Sequence, residues 1–128
     1  MDYQIGDTLS QTFVVGQNQT AKFYGSGNLE VFATPSMIAC MENTAMKLLQ
    51  KYLPDGMDSV GTEISEKHLK ASAVGETILF EAILTGFENK KVLFEVIATN
   101  QEKICIGTAT HTRYIIDVQF FMNKLKAK

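Results

Sequence analysis

An excess of basic side chains is missing from this 128-residue chain, which has 12 lysines and arginines against 14 aspartates and glutamates. The lysines are scattered apart from the closing segment KLKAK, so no basic face is available to nucleic acid. With a net charge of -2 at pH 7, the composition argues against nucleic acid as a partner.

Long hydrophobic runs and a secretory leader are also missing. No apolar segment is long enough to span a bilayer, and the opening MDYQIGDTLS has neither the basic region nor the apolar core of a signal peptide. We therefore expect a cytoplasmic protein that does not associate with membranes. Cysteine is scarce too: Cys40 and Cys105 can form one disulfide at most, so reduced thiols are the expectation.

Metal-ligand motifs such as CxxC or HExxH do not occur, so we predict no metal site, and no resident cofactor is indicated. What the chain does have is apolar material: 45% of its residues are hydrophobic and 20% are charged. That composition and length predict a single domain spanning residues 1–128.

One long helix is predicted from Thr34-Pro35, read as N-cap and first helical residue, to the stop signals Pro54 and Gly56. It should hold about 18 residues and measure about 27 Å. Its predicted apolar face consists of Ile38, Met41, Ala45, Leu48, Leu49 and Tyr52.

Strands are predicted on both sides of this helix, where β-branched and aromatic residues dominate. Their predicted ranges are Thr8 to Val15, Ser59 to Leu69, Glu76 to Phe87, Lys90 to Thr99 and Lys103 to Asp117. The short turns ENK and NQE predict that the last three strands form an antiparallel meander. The glycine-rich segment GQNQTAKFYGSGN is predicted to be a mobile surface loop, and the tail VQFFMNKLKAK a short turn that frays.

One helix with an antiparallel sheet is an α+β arrangement. Both faces of the predicted sheet are partly apolar, which indicates that a second subunit covers the outer one. Glu42 stands out on the helix because it lies at the edge of the apolar face. Either its methylenes pack there while its carboxylate reaches solvent, or the carboxylate faces a site where a desolvated base or nucleophile is useful.

Five pieces of sequence resemble the fluoroacetyl-CoA thioesterase branch of the hot dog thioesterases. They are EVFAT, Glu42 eight residues after Thr34, VGT from Val60, His68, and THTR from Thr110. The resemblance implies a hot dog fold, in which a curved antiparallel sheet wraps one long central helix. It also implies hydrolysis of an acyl-CoA thioester, with Thr34, Glu42 and His68 as the catalytic group.

The resemblance extends to two substrate-binding residues, Gly61 through its backbone N–H near the thioester carbonyl, and Arg113. The arginine, which shares a strand face with His111, would meet a CoA phosphate or a carboxylate. Phenylalanines of the family's lid are absent, since this chain reads Gly25-Ser26-Gly27-Asn28 before EVFAT. The resemblance therefore implies the chemistry, a small acyl-CoA thioester cleaved to acid and CoA, and leaves the acyl group open.

Each site residue also has an ordinary structural interpretation. Thr34 is suited to an N-cap, His68 to a plain strand position, Gly61 to a β-bulge and Arg113 to an ion pair. Glu42 could be a general base on water or a nucleophile that forms an anhydride. A hot dog hydratase or dehydratase and a non-catalytic acyl-CoA or lipid-binding module are the alternative functions.

Spacing along the helix sets a further constraint. Eight residues separate Thr34 from Glu42, or about 12 Å along a regular helix. They can act together only if the helix start is irregular or a second chain completes the site. We therefore predict a homodimer with two sites at its interface, or a higher homo-oligomer.

Overall fold

A 17-residue helix and a five-stranded antiparallel sheet make up most of this computed structural model, which describes residues 2–127. The strands are β1 (Thr8–Val14), β2 (Met57–His68), β3 (Thr77–Glu88), β4 (Lys91–Thr99) and β5 (Cys105–Asp117). The helices are α1 (Ala21–Tyr24), α2 (Thr34–Gln50) and α3 (Val118–Lys126), with a 3-10 turn at Gln17–Gln19. The predicted α+β class is confirmed; Met1 and Lys128, the ends of the predicted domain, lie outside the described residues.

The strand order in the sheet is β1-β3-β4-β5-β2, and every neighbouring pair is antiparallel. The predicted meander is therefore confirmed as β3-β4-β5. The strand that follows the long helix, β2, lies at one edge of the sheet and pairs only with β5 among the described strands. Its other side presents unpaired backbone groups, which is the usual template for pairing with another chain.

The core lies between α2 and the inner face of the sheet. Because side chains alternate along a strand, one face of β3 and of β4 is fully buried while the other is not. The fully buried side chains include Ile78, Phe80, Ala82, Leu84, Val92, Phe94, Val96 and Ala98 from β3 and β4 and Met37, Met41, Ala45, Leu48 and Leu49 from α2. Each large apolar side chain among them contributes about 1.5–3 kcal/mol relative to exposure.

The buried stripe of α2 differs from the predicted one at its first turn. Met37 is fully buried, whereas Ile38, predicted to face the core, is half-buried. Met37 packs against Gly107 on β5, where a Cβ would lie 2.5 Å from Met37 Sδ, so a side chain at this position would displace the methionine.

The segment between β1 and α2 contains more regular structure than the predicted loop. Thr20 Oγ1 accepts a hydrogen bond from the Phe23 N–H at 3.1 Å and caps α1, which ends at Gly25 with φ of 75°. Thr20 also forms an isolated bridge to Phe32, next to α2. Four helical residues are too few to produce a visible hydrophobic period, which is why the sequence pattern missed them.

The tail, predicted as a short turn, forms the nine-residue helix α3 up to Lys126. Asp117 Oδ1 accepts from the Phe120 N–H at 2.9 Å and caps it. None of its residues is buried, so the cap and not the core defines where it begins. No helix within residues 2–127 has the length and apolar character needed to cross a membrane.

The Met37–Gly107 contact can be tested by Gly107→Ala. The added methyl group would meet Met37 Sδ at 2.5 Å and the Lys67 carbonyl oxygen at 3.2 Å, so we expect a loss of about 1–3 kcal/mol in the free energy of unfolding. Gly86→Ala is the matched control, because its methyl would lie at an ordinary 3.4 Å from Leu93. Chemical denaturation measures both, and equal stability of the two variants would contradict this account of how α2 is seated.

Candidate active site

Thr34 and His68 meet where the start of α2 approaches the end of β2. The Thr34 hydroxyl lies 2.9 Å from His68 Nδ1. Thr34 was predicted to be the N-cap, but it is the first residue of α2, and the N-cap is Ala33, which makes no side-chain capping bond. The prediction was wrong because the hydroxyl contacts a histidine from another element instead of a backbone N–H of its own helix.

His68 is half-buried beside a cavity of about 380 Å³. The cavity is lined by Phe32, Thr34 and Pro35 on one side and by His68 and Lys70 on the other, with Ser26 from the segment before α2. Burial lowers the pKa of the His68 imidazole, an effect only partly opposed by a hydrogen bond to the backbone carbonyl of Lys70. The imidazole is therefore biased toward its neutral, proton-accepting form.

Glu42 lies two turns further along α2 and reaches the first half of β2. A Cβ built on Gly61 would lie 2.9 Å from Glu42 Oε2, so the carboxylate sits directly against the backbone of this glycine. The register of β2 shifts between Gly61 and Glu63. Gly61 thus has the β-bulge of its ordinary interpretation, and its lack of a side chain also makes room for Glu42.

Behind Gly61, Arg113 and His111 form a buried hydrogen-bond network, with exposures of 6% and 2%. Arg113 Nε–H donates to Ser59 Oγ at 2.8 Å, and Nη2–H donates to the Ser59 carbonyl at 3.0 Å. A built Cβ on Gly61 would also contact His111 Cε1 at 3.1 Å and Arg113 Nη1 at 3.3 Å. Glu42, His111 and Arg113 therefore converge on one glycine.

The hydrogen bonds fix the protonation of His111. Its Nδ1 lies 2.8 Å from the Glu63 carbonyl oxygen, which can only accept, so Nδ1 carries the proton. Its Nε2 lies 3.1 Å from Arg113 Nη1, which can only donate, so Nε2 is bare. Burial, the largest effect, and the charge of Arg113 lower the pKa of His111 against the opposing Glu63 bond and Glu42 charge. His111 is neutral in this network.

Arg113 was predicted to meet a CoA phosphate or carboxylate, with an ion pair as its ordinary interpretation. Burial lowers the pKa of its guanidinium, while the charges of Glu42 and Asp58 raise it. At 6% exposure the guanidinium is a buried positive charge behind Glu42, which argues against contact with a phosphate in solvent. Ser59 and His111, which were absent from the predicted site, complete this buried network. The one sequence signal for the network was that His111 and Arg113 share a strand face.

The predicted residues thus form two groups within one chain. Thr34 and His68 are one group, and Glu42, Gly61 and Arg113 are the other. Helix α2 is uninterrupted from Thr34 to Gln50, which excludes an irregular start, so about 12 Å of helix separates Thr34 from Glu42. The chain itself does not bring the two groups together.

The two cysteines and the possible metal ligands are weaker candidates for a catalytic role. Cys40 is half-buried, and burial raises its pKa to about 11, so its thiol is a poor nucleophile near neutral pH. Cys105 is exposed at the start of β5. Within residues 2–127, no cluster of three histidine, cysteine, aspartate or glutamate side chains is arranged to hold a metal ion.

Comparison with known proteins gives consistent matches over nearly the whole chain. The family model described as fluoroacetyl-CoA-specific thioesterase (FlK) matches residues 15–119. A fluoroacetyl-CoA thioesterase from Streptantibioticus cattleyicolor is 29% identical over 131 residues, covering 98% of this chain and 94% of that protein.

Solved structures agree. A structure of the fluoroacetyl-CoA thioesterase FlK is 29% identical, with a TM-score of 0.91 and coverage of 100% of this chain and 98% of that one. A hot-dog-like protein from Thermanaerovibrio acidaminovorans, at 18% identity, shares the fold with a TM-score of 0.89 and covers 99% and 96% of the two chains. The predicted hot dog fold is confirmed.

The variant Ser59→Ala tests the buried Arg113 hydrogen-bond network behind Glu42. Removing the Ser59 hydroxyl leaves the buried Arg113 Nε–H without its acceptor, so we expect a loss of about 1–3 kcal/mol in the free energy of unfolding. Ser10→Ala, at an exposed position of β1, is the control and should change stability by less than about 0.5 kcal/mol. If Ser59→Ala were as stable as the control, the Arg113 network would not be a structural constraint.

Proposed function

The chain belongs to the family of fluoroacetyl-CoA-specific thioesterases, and on that premise we propose that it hydrolyses a small acyl-CoA thioester to the free acid and CoA. The observation that supports this most directly is the 2.9 Å contact between the Thr34 hydroxyl and His68 Nδ1 beside a cavity. It places a hydroxyl and a base together beside the cavity, an arrangement that recurs in acyl-transfer sites. No cofactor enters the proposal beyond the CoA that the substrate carries.

Two routes to the same products are open to Glu42. As a general base it takes a proton from water, whose oxygen attacks the thioester carbonyl. As a nucleophile it attacks the carbonyl itself, and water then cleaves the anhydride and regenerates the carboxylate. In both routes the C–S bond breaks and the CoA sulfur receives a proton.

Thr34, His68 and Gly61 would serve the charges that develop in either route. The start of α2 offers unpaired N–H groups and a positive dipole end to an oxyanion. The Gly61 N–H polarises the carbonyl in the same way. His68 supplies or holds the proton that the leaving thiolate needs.

A homodimer would unite the two groups of residues. Gly61 and His68 lie at opposite halves of β2, whose outer edge is open. If two β2 strands pair antiparallel around a twofold axis near Ser65, Gly61 of one chain lies close to the partner subunit's His68. Glu42 of one chain then faces Thr34 and His68 of the partner subunit, so each dimer has two shared sites. The partly exposed Leu79 and Leu93 on the outer sheet face are consistent with further burial in an oligomer.

The proposal predicts that Glu42→Gln lowers kcat for acyl-CoA hydrolysis by about 10²- to 10⁴-fold, because the base or nucleophile is lost. Thiol release is measured on acyl-CoAs from acetyl to long-chain and aryl, with Glu95→Gln at an exposed position of β4 as the charge-matched control. Turnover that survives Glu42→Gln unchanged would exclude Glu42. Tight acyl-CoA binding without turnover in the wild type would favour the binding module, and hydration or dehydration without thiol release would favour the hydratase.

The shared site makes a second prediction. Glu42→Gln and Thr34→Ala should each be inactive alone, but an equimolar mixture with exchanged subunits should recover about a quarter of wild-type activity, since half of the dimers then hold one intact site. The double variant Thr34→Ala/Glu42→Gln mixed with wild type controls for exchange. No recovery with proven exchange, or a monomer by analytical ultracentrifugation at micromolar concentration, would contradict the shared site.

A further inference from the structure

Two buried polar atoms lie on the same face of β2 without hydrogen-bond partners. They are Glu66 Oε2 and His68 Nε2. The strand register pairs Glu66 with Ala109 and His68 with Gly107, the residue on which Met37 of α2 rests. Both side chains therefore point toward α2, from Cα atoms about 6.6 Å apart.

The two atoms are complementary in hydrogen bonding. His68 Nδ1 is occupied by the Thr34 hydroxyl. If that hydroxyl donates, Nδ1 is bare and the neutral imidazole carries its proton on Nε2 as an unmatched donor. A glutamate carboxylate accepts only, so Glu66 Oε2 is the matching acceptor, one position away on the same strand face.

We propose that Glu66 is a positioning residue for His68, accepting the Nε2–H directly after a change of side-chain rotamer or through one bridging water. The carboxylate then fixes the tautomer that presents a bare Nδ1 to the Thr34 hydroxyl, and it stabilises the imidazolium that forms when Nδ1 takes up a proton. The order is hydroxyl, imidazole, carboxylate, with the third group orienting the base. The inference rests on the proposed function only in assigning catalytic work to Thr34 and His68.

Within its own chain, the surroundings of His68 make Glu66 the available carboxylate, whereas the proposed dimer brings Glu42 of the partner subunit to the same site. Helix α2 presents Thr34 and Met37, the segment before it presents the Phe32 ring at 6.3 Å, and β5 presents Gly107. Lys70 lines the same cavity, and its ammonium cannot accept a hydrogen bond; its backbone carbonyl is the competing acceptor, because a backbone hydrogen bond to it raises the pKa of His68. Among the described residues that line the cavity or flank His68 on its strand face, Glu66 is the one carboxylate.

Burial acts against charge on both groups. It lowers the pKa of His68 and raises the pKa of Glu66. An ion pair between them would offset both effects once His68 is protonated. The pair would thus allow a buried histidine to take up a proton during turnover.

The first test uses the wild-type protein and needs no substrate. Nitrogen-15 NMR distinguishes Nδ1–H from Nε2–H imidazole, and the variant His68→Gln assigns the signals, since the chain has two histidines. We expect neutral His68 to carry its proton on Nε2. A proton on Nδ1 overturns the proposal, whether or not any Glu66 variant folds.

The second test compares Glu66→Gln, which keeps an acceptor and removes the charge, with Glu95→Gln. In Glu66→Gln we expect the NMR pKa of His68, and with it the acidic limb of kcat/KM, to fall by about one unit. We also expect kcat to fall by at least about tenfold with KM little changed, because Glu66 orients a catalytic group without touching substrate. Glu95→Gln should match wild type in all three.

An unchanged His68 titration and pH profile in Glu66→Gln would overturn the pairing. The two proposals fail separately. A wild-type protein that hydrolyses no acyl-CoA refutes the thioesterase function, while the tautomer and the His68 titration still decide the pair. An active wild-type enzyme whose Glu66→Gln variant titrates normally refutes the pair alone.

Discussion

The close approach of helix α2 to two glycines is the constraint on which the site depends. Met37 rests on Gly107 of β5, and the Glu42 carboxylate lies against Gly61 of β2. A side chain at either glycine would displace the end of the α2 side chain that rests on it. Because α2 is regular between these contacts, its position also fixes where Thr34 meets His68. Packing at two points thereby determines which polar groups can meet, and it keeps Thr34 and Glu42 apart.

A buried network stiffens the sheet beneath Glu42. Leaving a guanidinium N–H without an acceptor at 6% exposure would cost about 1–3 kcal/mol or more, yet Ser59 and His111 accept three of its donors. These hydrogen bonds thus fix the guanidinium, and its positive charge, in a buried position. A carboxylate that must be desolvated to act as base or nucleophile gains a nearby opposite charge without a direct bond that would occupy its oxygens.

Much of the fold is readable from the sequence, because a 17-residue helix and strands of nine to thirteen residues show clear periodicity. The predictions that fail concern the ends of helices and the short elements. The N-cap prediction at Thr34 follows a sound rule, but a tertiary partner, His68, takes the hydroxyl. Helix α1 is too short to show a period, and α3 is defined by its Asp117 cap without any buried face. Short elements depend on single hydrogen bonds that composition does not reveal.

The candidate site, like the fold, could be predicted only in part from the sequence. Thr34, Glu42 and His68 could be named from the resemblance to a family, whereas the neighbours Ser59 and His111 could not, since strand alternation gives a face but not a partner. The resemblance would place aromatic lid residues between β1 and α2, where this chain has Gly25, Ser26 and Gly27. Ser26 borders the cavity beside His68. Small residues exclude water less completely than aromatic rings, and so would desolvate a small acyl group less. The segment between β1 and α2 is therefore where this chain departs from the family that the resemblance indicates.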